Sequence, residues 1–267
     1  MSRARRTPWI AVLLVALAAL AAPGLGAAAE NYVALGDSYS SGVGTNSYTL
    51  SSSCKRSTYA YPALWSAAHP GTALSFVACS GATTTTVLNG TSTLPPQINS
   101  LAATTTLATI TVGGNDLGFA TLIQRCVQSD CNTALTNATT SAAATLNTKL
   151  DAVYAAIRAR APSARVVVLG YPRLFSAASC FGTSGITSSE RANANLLSEE
   201  IDRVIGARAG ASGFAYRSAL GPFTGHAVCS STTWLNGLNI FNTVESFHPN
   251  RTGQSSGYRA ILTTFTG

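Results

Sequence analysis

Tyr32-Val33-Ala34-Leu35-Gly36-Asp37-Ser38-Tyr39-Ser40-Ser41-Gly42 is the stretch that decides the fold. Four apolar residues in succession suit a strand buried on both faces, as in a parallel sheet. The glycine-led polar turn that follows ends the strand. Runs of the same kind recur at Leu74–Ala78, Ala108–Val112, Arg165–Leu169 and Phe214–Tyr216. Between them lie helical candidates. Tyr61–His69 is one, and Pro96–Leu101 opens with prolines suited to a helix start. Ser141–Arg160 has the clearest period: Leu146, Leu150, Val153, Tyr154 and Ile157 share a face, and Pro162 closes the run. Thr187 and Glu190 have capping-box spacing ahead of a helix that runs through Leu197, Ile201, Val204 and Ile205 to Gly210. A last helix follows Pro249 toward Leu262. Alternation of this kind predicts an α/β fold, a three-layer α/β/α sandwich around a mainly parallel five-stranded sheet. The short runs Ser51–Ser53 and Thr83–Thr86 read as loops, and no repeat or linker divides the chain.

Ahead of the first strand, Arg3, Arg5 and Arg6 precede an uncharged apolar run from Trp9 to Ala22, and Ala27, Ala28 and Ala29 offer a small-residue cleavage site. That is the layout of a secretory signal peptide. A membrane anchor is the rival reading, but the run is short of the ~20 apolar residues a span needs. We therefore expect a leader over residues 1–29, a single domain over residues 30–267, and a secreted, extracellular protein. Without the leader's three arginines the balance of 17 basic and 10 acidic residues becomes 14 and 10, a net charge of +4. The two lysines, Lys55 and Lys149, stand apart and no basic cluster occurs, so no nucleic-acid partner is expected. Transient contact with a lipid surface stays open.

Six cysteines in an exported chain point to three disulfides, although six allow 15 connectivities. Proximity favours Cys54–Cys79, Cys126–Cys131 and Cys180–Cys229. There is no C-x-x-C pair and no cysteine–histidine set with zinc-finger spacing, so no metal site is expected.

In an open α/β sheet, ligands gather beyond the carboxyl ends of the strands. Four segments fall there or in the terminal loop: Gly36-Asp37-Ser38, Cys79-Ser80-Gly81-Ala82, Gly113-Gly114-Asn115-Asp116 and Glu245-Ser246-Phe247-His248-Pro249-Asn250. Each alone has an ordinary structural reading. A serine between strand and helix is usually an N-cap, Gly-Gly-Asn-Asp is a turn, and a lone histidine before proline is commonly structural. Their joint occurrence, in this order and at separate strand ends, is what carries information.

With these four blocks the chain resembles the SGNH hydrolases, also called GDSL esterases and lipases, from about Tyr32 to Tyr258. It is similar in particular to small secreted bacterial lipases, esterases and phospholipases with three disulfides. The resemblance implies a flavodoxin-like sandwich, an enzyme that cleaves carboxylic esters, Ser38 as nucleophile and His248 as general base. It further implies an oxyanion hole made by the N–H groups of Ser38 and Gly81 and the side-chain amide of Asn115, with no cofactor. The chemistry is coherent. A serine hydroxyl needs a neighbouring base, the imidazolium then protonates the departing alcohol, and a glycine lets the backbone approach substrate closely. Two positions depart from the family pattern. Tyr39 replaces the leucine of the family name, which reads as remote from the chemistry. Glu245 stands where the family often has aspartate, so either the Glu245 side chain or the Ser246 carbonyl orients His248, and we favour the carbonyl.

The remaining candidates read as structural: His69 at a helix end, His226 in a loop beside Cys229, Asp37 and Asp116 as caps or hydrogen-bond acceptors, and Trp65 and Trp234 as packing residues. The expected activity is hydrolysis of fatty-acyl esters by a monomer, with phospholipids among the possible substrates. Deacetylation of polysaccharides is the enzymatic alternative, and a non-catalytic binding protein on the same fold is the alternative of another class. The acyl pocket is expected from the loops around Thr45–Ser57, Ala177–Gly185 and Ala219–Phe241.

Overall fold

Apolar residues on both faces leave β1 (Asn31–Ala34) no place but the middle of a sheet. It pairs in parallel with β2 (Ala73–Phe76) on one side and β3 (Leu107–Ile110) on the other. Beyond β3 come β4 (Arg165–Leu169) and β5 (Ala215–Arg217), giving an all-parallel sheet of order β2-β1-β3-β4-β5. The computed structural model describes Met1 and residues 29–267, so the expected leader lies outside the described residues except at its two ends. All five strands expected from the sequence are present, displaced by at most a residue or two.

The helices are α1 (Ser38–Ser41), α2 (Tyr61–Ala68), α3 (Thr84–Asn89), α4 (Phe119–Gln128), α5 (Asn132–Arg160), α6 (Ser188–Ala211) and α7 (Ala260–Thr266), the last continuing a π-helical turn over Gly253–Arg259. On one face of the sheet Trp65 of α2 meets Tyr32 edge-on and donates from Nε1 to Thr266 of α7 at 2.9 Å. On the other face α5 and α6 pack lengthwise together, and Leu146 and Ile205 converge beneath Gly113. The result is the three-layer arrangement.

Where sequence and structure differ, tertiary partners decide. The threonines of Thr83–Thr86, which read as a loop, begin α3: Thr83 and Thr86 cap each other reciprocally, and Asp116 accepts from the Thr84 N–H at 2.9 Å. Helix α5 starts at Asn132 rather than Ser141. Thr136, Thr139 and Thr140 each return their hydroxyl to the carbonyl four residues back, and buried Leu135 and Ala142 anchor the extra turns. Pro96–Leu101 forms only a 3₁₀ turn, Gln97–Ser100. The Thr187–Glu190 capping box forms as expected, and Glu190 also accepts from the Cys131 N–H at 2.9 Å, which ties α6 to the start of α5. All three disulfides pair as proximity favoured.

The strand order reverses at β1, so connections leave it in opposite directions and a crevice opens at the carboxyl ends of β1 and β3. Gly36 sits at its edge with φ +128°, and a Cβ there would lie 2.5 Å from Ser40 Oγ and 2.6 Å from the Thr111 carbonyl oxygen. Substituting Gly36→Ala combines a forbidden backbone region with two close contacts, so it should cost at least about 2 kcal/mol. Urea unfolding of the variant measures this; a midpoint equal to the parent's would contradict it.

Candidate active site

The turn after β1 is held from three sides. The Gly36 N–H donates to Gln97 Oε1 at 2.8 Å, and the Gly36 carbonyl accepts from Gln97 Nε2 and from the Cys79 N–H, each at 2.9 Å. The Asp37 N–H donates to the Thr111 carbonyl at 2.9 Å. Asp37 Oδ1 accepts from the Tyr39 N–H at 2.9 Å, capping α1, while Oδ2 accepts from the Tyr171 hydroxyl. Burial pushes the Asp37 carboxyl up to about 7, against the pull of those two hydrogen bonds. Its neighbour Ser38 is thereby presented at the first position of α1, its side chain turned into the crevice.

Ser38 Oγ lies 2.9 Å from His248 Nε2, and His248 Nδ1 lies 2.9 Å from the Ser246 carbonyl. A carbonyl can only accept, so Nδ1 carries the proton and Nε2 is left to accept from the serine hydroxyl. Burial lowers the imidazole to about 4, opposed by the carbonyls of Ser246 and Val244. The Glu245 carboxylate is engaged elsewhere: it accepts from the Tyr48 hydroxyl and, at 3.2 Å, from the Asn46 N–H. Of the two candidate partners for Nδ1, only the Ser246 carbonyl is within hydrogen-bonding reach.

Backbone shape accounts for this reach. Phe247 adopts φ +60°, a conformation that a bulky side chain enters at a cost. The kink folds His248 back over the Ser246 carbonyl. It is held by the Phe247 N–H on the Asn236 carbonyl at 3.0 Å and by the Tyr39 hydroxyl on the Phe247 carbonyl at 2.9 Å. Tyr39, which the sequence suggested was remote from the chemistry, therefore links the two segments that carry Ser38 and His248.

Gly81 and Asn115 line the same cavity, of about 210 Å³, as Ser38 and His248. Gly81 has φ +79°, and a Cβ there would meet nothing within 4 Å, so backbone conformation is what calls for glycine. The N–H groups of Ser38 and Gly81 have no hydrogen-bond partner among the described residues. Asn115 Nδ2 donates to the Ala82 carbonyl at 3.0 Å, which aims the amide and leaves its second hydrogen free. Asp116 faces away and receives Thr84 and Lys149.

The cavity is mostly apolar, but its walls are not the loops expected. Phe119, Ile123 and Gln124 of α4, Ile201 of α6, Leu174 after β4, and Thr243 and Val244 form it. Tyr171 was also unanticipated; besides holding Asp37 it accepts from the Gly114 N–H at 3.2 Å. No local pattern marks these residues. The other histidines and tryptophans lie outside the cavity: His69 stacks on Trp65, and His226 stacks on Trp234.

The profile of the GDSL-like Lipase/Acylhydrolase family matches residues 34–255. The chain belongs to that family. Lipase 1 of Streptomyces coelicolor is 46% identical over 242 residues, covering 88% of this chain and 87% of that one. A lipase of Streptomyces rimosus is 44% identical over 265 residues, 97% of this chain and 94% of its own. The crystal structure of phospholipase A1 from Streptomyces albidoflavus NA297 superposes with a TM-score of 0.83 at 43% identity, covering 89% of this chain and 99% of that one. This member of the family is thus a carboxylic-ester hydrolase with a five-stranded parallel sheet and three disulfides.

A carboxylate on Nδ1 would raise the imidazole, whereas burial beside a carbonyl lowers it. The acid limb of kcat/KM should accordingly fall below the ordinary histidine value of about 6.5, toward about 4, and the base should be competent throughout the pH range above it. Glu245→Gln should leave kcat within about tenfold and leave that limb in place. A pH–rate profile of both proteins is the check, and a thousandfold loss in the folded variant would overturn the assignment.

Proposed function

We propose that the protein is a secreted hydrolase of fatty-acyl esters that works through an acyl-enzyme on Ser38. The observation that carries this reading is the 2.9 Å approach of Ser38 Oγ to His248 Nε2 at the floor of a mostly apolar cavity. In the first half-reaction Oγ attacks the ester carbonyl as its proton passes to Nε2. The tetrahedral oxygen takes hydrogen bonds from the N–H of Ser38, the N–H of Gly81 and the Asn115 amide. Collapse expels the alkoxide, which leaves with the proton from the imidazolium. Water repeats the sequence on the acyl-enzyme and releases the acid. His248 needs no carboxylate here, because the Ser246 carbonyl fixes its tautomer.

Several features support a lipid substrate and an extracellular setting. Two relatives are named lipases, and the structurally similar Streptomyces albidoflavus protein is a phospholipase A1. A solved structure with a TM-score of 0.82 is that of an extracellular lipase, and three disulfides suit an oxidising compartment. Val244, 43% exposed, lines the cavity, and a few residues before it Ile240 and Phe241, at 57% and 95%, stand exposed around a neighbouring surface depression. Phe181, 70% exposed, joins them across the Leu238 N–H to Gly182 carbonyl bond of 2.8 Å. Exposed apolar residues of this kind suit transient contact with a lipid surface.

An organophosphonate should label Ser38 stoichiometrically and leave the S38A variant unlabelled by mass spectrometry. N115A should lower kcat by about 100-fold or more through loss of one oxyanion donor. Rates on p-nitrophenyl esters from acetate to palmitate should rise with chain length, and a strict acetate preference would sink the lipid reading. With micellar or vesicular substrate, Phe241→Ser should raise apparent KM several-fold while leaving kcat on a soluble ester intact.

A further inference from the structure

A second cavity, of about 150 Å³, shares Ser80 and Gly81 with the one that holds Ser38. Arg56 lines it. The Arg56 guanidinium donates from Nη1 to the Phe76 carbonyl at the end of β2, but its Nε is buried without a partner. No carboxylate pairs with it among the described residues. The side chain as a whole is only half-buried, and its Nη2, which makes no hydrogen bond among the described residues, is the charged donor left open to the cavity. Two hydroxyls on the same wall, those of Ser80 and Ser100, also make no hydrogen bond among the described residues. Arg56 follows Cys54 by two residues and Ser80 follows Cys79 directly, so the Cys54–Cys79 bridge fixes the guanidinium relative to Gly81. The Ser80 N–H on the Cys54 carbonyl, at 3.0 Å, closes the same link.

An unpaired guanidinium with open hydroxyls beside it selects an anion with several oxygens, and a planar fork suits a carboxylate or a phosphate. The position narrows the choice. In a glycerophospholipid only the glycerol carbons and their oxygens separate each ester carbonyl from the phosphorus. Gly81 borders both cavities, so an ester held at the Gly81 N–H places its head group within reach of the second. We propose that this second cavity is a subsite for the phosphodiester of a phospholipid, with Arg56 as its cation and Ser80 and Ser100 as further donors. The assignment rests on the ester-hydrolase reading and adds a preference for phosphate-bearing substrates.

The test compares dioleoylphosphatidylcholine with dioleoylglycerol, which has the same acyl chains and no phosphate, in mixed micelles of a neutral detergent. Arg56→Gln should lower the ratio of kcat/KM for phosphatidylcholine over diacylglycerol by about tenfold or more, the loss expected of one charge-assisted pair. Arg56→Lys keeps a charge without the fork and should give a smaller fall in the same ratio, and it serves if the glutamine variant does not fold. Inorganic phosphate supplies the same oxygens from solution and should inhibit the wild type competitively against phosphatidylcholine but not the glutamine variant. A ratio that stays put in both variants overturns the subsite. So does phosphate that protects the wild type against heat, in an Arg56-dependent way, while the ratio stays put, because the cavity then holds a free anion. Wild-type protein that hydrolyses neither lipid defeats the underlying ester-hydrolase reading instead.

Discussion

The peptide joining Gly36 to Asp37 is hydrogen-bonded on both edges to neighbouring strand ends. Its carbonyl takes the Cys79 N–H and its N–H reaches the Thr111 carbonyl. Because Cys79 leads to Gly81 and Thr111 leads to Asn115, one peptide plane draws three strand ends together. Positions 43 and 74 residues apart along the chain become neighbours through it. A residue with a side chain has no room at Gly36, so the turn admits only this packing.

Burial, more than the hydrogen bond that holds it, keeps the imidazole neutral. The Ser246 carbonyl, presented by the left-handed Phe247, does the orienting that a carboxylate does in other hydrolases. The nearest buried acid, Asp37, spends its two oxygens on Tyr39 and Tyr171 and serves to shape the turn. A neutral Ser38–His248 pair in a mostly apolar cavity adds no charge that an entering acyl chain would have to desolvate.

The five strands were legible because a parallel strand covered on both faces must be apolar along its whole length, and that pattern is local. Ser38, Gly81, Asn115 and His248 were legible for a related reason: each follows a strand or sits in the last loop, and order along the chain is preserved. What escaped depends on contacts made at a distance. The threonines that begin α3 become helical because Asp116 and a reciprocal Thr83–Thr86 pair satisfy them. The cavity walls come from α4, α6 and the segments after β4 and before His248, and α4 is placed by its packing on α5 and on the turn at Asn115–Leu117. Gln97, a buried side chain that bonds both the N–H and the carbonyl of Gly36, carries no signature in its own neighbourhood.

Ser38 stands close to one end of the described region and His248 close to the other, 210 positions apart along the chain. Every strand and every crossover must be laid down before the two atoms meet, and the closing link, Tyr39 to Phe247, spans nearly the same separation. Reactivity is therefore a property of the finished fold alone.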